Sequence, residues 1–181
     1  VVDREGFVKP TGGAARVPLQ WDETADDPYS IACRGAGAGA GDRETRRLMY
    51  AALDLGDPRA AYAVGTWYLH GAYGLPKHLE AAWPLLRRAA AGGVAEAMYD
   101  LGVAYERGSL GRPNRRQAFR WFELAAALGD LRSRRLVASW RLHGYGTRRD
   151  DAAALAAYRA LAAEGHGDEE SDDAIAFLEG R

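Results

Sequence analysis

Four histidines, one cysteine, five tryptophans and a block of arginines are the side chains of this 181-residue chain best equipped for chemistry. His70, His78, His143 and His166 would be the natural ligands of a metal ion or carriers of a proton, yet no two stand at the helical spacing of a zinc motif. His70 and His143 each immediately precede a glycine and occupy equivalent places in a sequence repeat, where Arg107 stands in the middle copy. Cys33 is single, so it forms no intrachain disulfide, and its Gly-rich neighbourhood does not mark it as a nucleophile. No Gly-x-Ser-x-Gly elbow occurs. The Gly/Ala run from Gly35 to Gly41 lacks the Lys-Ser/Thr ending of a phosphate loop, and the paired carboxylates Glu169-Glu170 belong to an acidic tail. These patterns predict no catalytic residue, no metal, no cofactor and no enzyme.

The elements that carry these side chains are dictated by a period of about 36 residues, marked by Gly56, Gly93, Gly129 and Gly165. A period of this length signals a solenoid, in which each unit buries its apolar face against its neighbours. Ala60, Val64 and Tyr68 form one stripe at i, i+4, i+8, and Ala97, Leu101 and Tyr105 repeat it. A glycine pair follows each stripe: Gly71 and Gly74, Gly108 and Gly111, Gly144 and Gly146. The first glycine of a pair sits where a left-handed residue ends a helix. Second stripes follow, Leu79, Ala82, Leu86, Ala89 and Ala90, then Ala118, Trp121, Phe122, Ala125 and Ala126. Each unit is therefore helix, tight turn, helix. Gly65 and Gly102 fall inside helices, where glycine costs about 1 kcal/mol relative to alanine. Their recurrence one period apart predicts that a side chain there would collide with the crossing helix, and Ala138 keeps the third copy small. Pro84 falls inside a second helix and predicts a kink.

The pattern resembles the Sel-one-like repeat family, short cousins of the tetratricopeptide repeat. Its Ala, Leu-Gly-x-x-Tyr-x-x-Gly, Ala-x-x-Trp/Tyr and Ala-Ala-x-x-Gly elements stand here as Ala60, Val64-Gly65, Tyr68, Gly71, Ala82, Leu85-Leu86, Ala89-Ala90 and Gly93. In the next copy they are Ala97, Leu101-Gly102, Tyr105, Gly108, Ala118, Trp121-Phe122, Ala125-Ala126 and Gly129. The third copy departs from the pattern, with Arg141 in place of the tyrosine. The resemblance covers roughly residues 42–179. It implies an all-α chain, a right-handed α-solenoid of helix-turn-helix repeats, acting as an adaptor, scaffold or inhibitor that holds another protein. Some similar family members neutralise antibacterial lipase effectors, which extends the implication to an immunity-type inhibitor of a secreted toxic enzyme.

Outside the repeats, residues 1–26 lack helical period and predict an irregular N-terminal arm, with Phe7 and Trp21 as docking side chains. A short helix is expected from Asp27-Pro28 to about Arg34, then a Gly/Ala linker to Gly41, so that 1–41 stands apart from a repeat domain at 42–181. A helix from Asp42 to about Leu55 reads as the second half of a worn repeat. A last helix near 169–179 would cap the open end with an acidic face. No apolar run approaches the roughly 20 residues of a membrane span. The chain starts at Val1 without Met, which together with the resemblance predicts a bacterial, exported, periplasmic protein, with the cytoplasm as the alternative.

Charge is unevenly spread. Between Glu106 and Arg149 there are 11 arginines and three acids; from Asp150 onward there are nine acids and two arginines. Three readings of the basic block remain open: a solvated face, a docking surface for an acidic protein, or an anionic-surface or nucleic-acid site. Nucleic acid is the weakest of them, since the chain carries a net charge of −1 and no base-stacking motif. If the first helices line the binding face, the columns beside the core stripe meet the partner. These are Ala63, Trp67 and His70, then Asp100, Ala104 and Arg107, then Leu136, Trp140 and His143. Trp67 and Trp140 would flank Ala104 as two aromatic walls, with Arg107, Arg132 and Arg135 adding charge. The opposite assignment, both indoles in the core, fits the same spacing.

Overall fold

The computed structural model describes residues 26–37 and 41–180, and among these the chain is all α-helix. The arm at residues 1–25, with Phe7 and Trp21, lies outside them. The helices are α1 (Pro28–Gly37), α2 (Asp42–Asp54), α3 (Pro58–His70), α4 (Leu79–Ala91), α5 (Ala95–Arg107), α6 (Arg115–Ala127), α7 (Leu131–His143), α8 (Asp151–Ala163) and α9 (Glu169–Glu179). The fold class is that of the α-solenoids, as the repeat predicts. Helix α1 runs past Arg34 through Gly37, so Gly35 to Gly37 belong to a helix rather than to the expected linker. Two compact units divide the chain, with the boundary at Met98/Tyr99.

The caps explain where the helices start. Asp27, Asp130 and Asp168 each accept from the backbone N–H and the hydroxyl of a serine three residues on: Ser30, Ser133 and Ser171. These bonds satisfy donors that the first turn otherwise leaves open. Asp57 does the same for Arg59, Asn114 for Gln117 and Asp150 for Ala153. His78 caps α4, its Nδ1 accepting from the Ala81 N–H at 3.1 Å. Gly71 and Gly144 end α3 and α7 at φ 74° and 73°, a region that L side chains rarely enter.

In the first unit α1 packs on α2 and α3 on α4, around Ala32, Met49, Ala52, Val64, Leu86 and Ala89. Arg88 donates from α4 to the Leu53 carbonyl at 2.7 Å, closing the exposed end of α2. Helix α4 is continuous across Pro84, an exposed residue. In the second unit Phe122 is wholly buried among Ala118, Phe119, Val137 and Trp140, and a second cluster joins Ala138, Leu142, Ala154, Tyr158 and Ala174.

The glycine column is tight in both units, but not equally. A Cβ on Gly102 would lie 2.4 Å from the Phe122 ring; on Gly65 it would lie 3.2 Å from the Leu86 side chain. Full burial of a side chain such as Phe122 stabilises by roughly 1.5–3 kcal/mol. That exceeds the helical cost of Gly102, about 1 kcal/mol, so the close approach wins. Gly102→Ala should therefore lower the stability of the chain by about 1–3 kcal/mol through overpacking. Gly65→Ala should be near neutral, because its gain in helix propensity offsets a small shift of Leu86. Thermal melts followed by circular dichroism would rank the two.

Candidate protein interface

The column of first-helix side chains divides sharply once folded. Trp67 and Trp140 keep only 8% and 5% of their surface, and Ala104 is buried as well. Trp140 stacks on Phe119 at 6.4 Å and meets Phe122 edge-on at 5.3 Å. Trp67 stacks on Tyr73 at 4.3 Å. The two indoles are core side chains, which corrects their assignment as aromatic walls of a binding site. Spacing placed them on the border of the stripe. Large apolar area decides a border position in favour of burial whenever the neighbouring turn supplies a ring to pack on.

The polar members of the column stay at the surface. His70, Arg107, Arg132 and His143 are exposed; Asp100 and Arg135 are partly buried. Arg132 lies over the Tyr99 ring at 4.1 Å and reaches Asp130. Arg135 pairs with Asp168 at 3.2 Å and donates to the His166 carbonyl. His143 hydrogen-bonds its own helix through the Ser139 carbonyl. Each unit holds its own part of the column: Trp67 and His70 lie in the first, the other six residues in the second.

The arginine block divides as well. Arg134 pairs with Glu164, Arg141 with Glu123 and Arg149 with Asp151, while Arg159 beyond the block pairs with Glu179. Arg141, the departure from the repeat's tyrosine, is thus matched by a carboxylate one helix away. Exposed pairs like these add little stability, but they occupy the charge. Arg107, Arg112, Arg116 and Arg148 are exposed and take part in none of the ion pairs among the described residues. Arg115 lies 5.5 Å from the centre of the Tyr145 ring.

These arginines gather at the turn end of the second unit. The Asn114 N–H donates to the Tyr105 carbonyl at 2.8 Å, folding the α5–α6 turn back on α5. Gly146, at φ 64°, lies so close to the first turn of α6 that a Cβ would stand 2.2 Å from the Arg115 carbonyl oxygen. The α7–α8 turn is therefore pressed against the start of α6. It carries Tyr145, which is 48% exposed, with Trp140 at its edge and His143 stacked on it at 5.4 Å. Helix α6 opens with Arg115-Arg116 and has no acid in its first turn. Cations at that end oppose the helix dipole, a penalty of about 0.3–1 kcal/mol each at low salt. Tyr145 was missed by periodicity because turns carry none. Its signal was the recurrence of a tyrosine just before the second turn glycine, Tyr73-Gly74 and Tyr145-Gly146.

At the far side of this unit the acidic residues have structural work. Hydrogen bonds from Ser171 and the charge of Arg135 hold the Asp168 carboxyl below its usual range. A hydrogen bond from Arg134 and its charge do the same for Glu164. A carboxyl depressed in the folded chain contributes stability that is present above its unfolded pKa and is lost as pH falls through the folded value. Protection of the α9 amides, measured relative to their intrinsic exchange rates, should thus hold at neutral pH and fall as the medium is acidified below about pH 4. Among the described residues no three His, Cys, Asp or Glu side chains gather as a metal site, and no helix is long and apolar enough to cross a membrane.

The Sel1 repeat family profile matches residues 58–94, 95–130 and 133–166. A Sel1 repeat protein from Oxalobacter formigenes superposes with a TM-score of 0.63 at 28% identity, covering 70% of this chain and 93% of its own. The protective antigen c5321 of uropathogenic Escherichia coli, which displays the same repeat fold, gives 0.65 at 25% identity over 74% of this chain and 28% of its own. The Helicobacter pylori cysteine rich protein B, at 12% identity and a TM-score of 0.51 over 84% of this chain and 98% of its own, shares the fold alone. Among curated proteins, the component HRD3 of an ERAD-associated E3 ubiquitin-protein ligase from Candida glabrata is 28% identical over 123 residues. That match takes in 65% of this chain, which spans only 15% of that protein's length.

Burial of the indoles has a measurable consequence. Trp140→Ala should cost about 3–5 kcal/mol, whereas Tyr145→Ala, which loses a half-exposed ring and its contact with Trp140, should cost only about 1 kcal/mol. Equal losses in a denaturant titration of the two variants would contradict this division of core and surface.

Proposed function

The chain belongs to the Sel1 repeat family, and from that premise we propose that it is a non-catalytic scaffold that holds another protein. Its repeats spend their large apolar side chains on mutual packing. What remains outside, at the turn end of the second unit, is an arginine cluster around one exposed tyrosine, and this observation carries the reading. Trp, Tyr and Arg are the residue types that dominate interface energetics; here Trp67, Trp121 and Trp140 are core, and tyrosine and arginine are available. HRD3 is by its name a component of a larger ligase, in keeping with a repeat segment that works by association.

In its sharper form the proposal is a bacterial, periplasmic immunity-type inhibitor bound to a secreted effector enzyme; an envelope or signalling adaptor is the alternative. The exposed arginines also suit an anionic surface or nucleic acid, and salt separates this from the rest, because phosphate binding weakens steeply between low and moderate salt. The test is a pull-down with the full chain from envelope and cytosolic fractions, with and without nuclease. One stoichiometric, nuclease-insensitive protein is expected. A hydrolase whose activity falls on binding would favour the inhibitor over the adaptor. Many weak hits that vanish with nuclease would overturn the proposal.

A further inference from the structure

We propose that the turn end of the second unit, centred on Tyr145 and rimmed by Arg107, Arg112, Arg115, Arg116 and Arg148, docks a short acidic segment of the partner protein. This rests on the reading of the chain as a protein-binding scaffold and assigns the surface and the chemistry of what it holds.

Three observations converge there. The first is the partition of charge. Arg134, Arg135, Arg141 and Arg149 each face a carboxylate of the same unit, while Arg107, Arg112, Arg116 and Arg148 face none among the described residues. The uncompensated positive charge is therefore local, and it coincides with the turns. The second is preorganisation. The Tyr145 ring is half-exposed, yet Trp140, His143 and Arg115 pack against it, so little ring freedom is lost on contact. A fixed, half-exposed ring beside guanidinium groups suits a segment that brings carboxylates together with an apolar or aromatic side chain. The third is extent. Glu106 precedes Arg107, and Asp150-Asp151 follow Arg148-Arg149. These carboxylates interrupt the basic run along the chain, which disfavours a long polyanion, and guanidinium forks match the carboxylates of a short acidic segment in bidentate geometry.

The probe is a fluorescein-labelled peptide of alternating Asp and Glu around one central Tyr, titrated into the full chain and followed by anisotropy and by amide NMR shifts. Oligodeoxythymidine and phosphatidylserine vesicles serve as competing anions. Shifts should concentrate in residues 107–116 and 143–149. Reversing two exposed charges in R112E/R116E should weaken the peptide about tenfold or more, since close charge pairs at an interface couple strongly. Tyr145→Ala should weaken it several-fold; R112E/R116E should melt like the parent and Tyr145→Ala only slightly below it. Shifts confined to other helices would overturn the proposal, as would a change below about twofold in R112E/R116E, the scale of an incidental surface pair. Tighter binding of the oligonucleotide or the vesicles would overturn it too. A partner captured equally well by the parent and by R112E/R116E would refute this docking surface while leaving the scaffold intact. Failure to capture any stoichiometric protein would count against the scaffold itself.

Discussion

Everything in the second unit follows from how closely α5 approaches α6. Gly102 leaves no room for even a methyl group against Phe122, and that ring in turn receives the edge of Trp140. A small residue on one helix, a large ring on the next and an indole on the third form a chain of contacts that fixes helix spacing without a polar bond. Because interiors are packed like crystals, such a chain tolerates little change at any link. The first unit uses the same device with an aliphatic partner: Leu86 lies against Gly65, and its contact is looser by nearly an ångström.

This constraint decides what is left for recognition. Most of the large apolar side chains are drawn inward, Trp67 and Trp140 among them. The turns cannot be buried, since their backbone groups need water or local partners. Side chains presented there stay accessible to solvent. In the second unit those are arginines and Tyr145, held rigidly because Gly146 presses its turn onto α6. On the proposed reading, recognition uses a surface created by packing rather than a pocket. The acidic stretch from Asp150 onward has a different task, since Glu164 and Asp168 are taken up by Arg134 and Arg135. Nominally mixed charge thus resolves into a neutralised helix face and a positive turn end.

Much of this was legible in the amino-acid sequence. The period, the helix-turn-helix unit, the glycine pairs and the reason for Gly65 and Gly102 could all be read from spacing alone, because each follows from local geometry repeated three times. The fate of Trp67 and Trp140 could not. A position on the border of a stripe faces core or solvent depending on what the neighbouring turn brings, and here the turns bring Tyr73 and Tyr145. The pairing of individual arginines was equally hidden, since it joins residues about 20 to 30 apart across helices. The Asp-x-x-Ser starts of α1, α7 and α9 were a readable signal that went unused. They mark α1, α7 and α9 alike as first helices of a repeat unit.

Hydroxyl-radical footprinting of the chain, alone and with its captured partner, addresses the central claim most directly, that the rings are spent on packing and the turns on recognition. In the free chain Tyr145 should be oxidised readily and Trp140 hardly at all. With partner present, protection should appear at Tyr145 and leave Trp140 as it was. Ready oxidation of Trp140 in the free chain, with protection on binding, would place the indole at the interface and contradict the account.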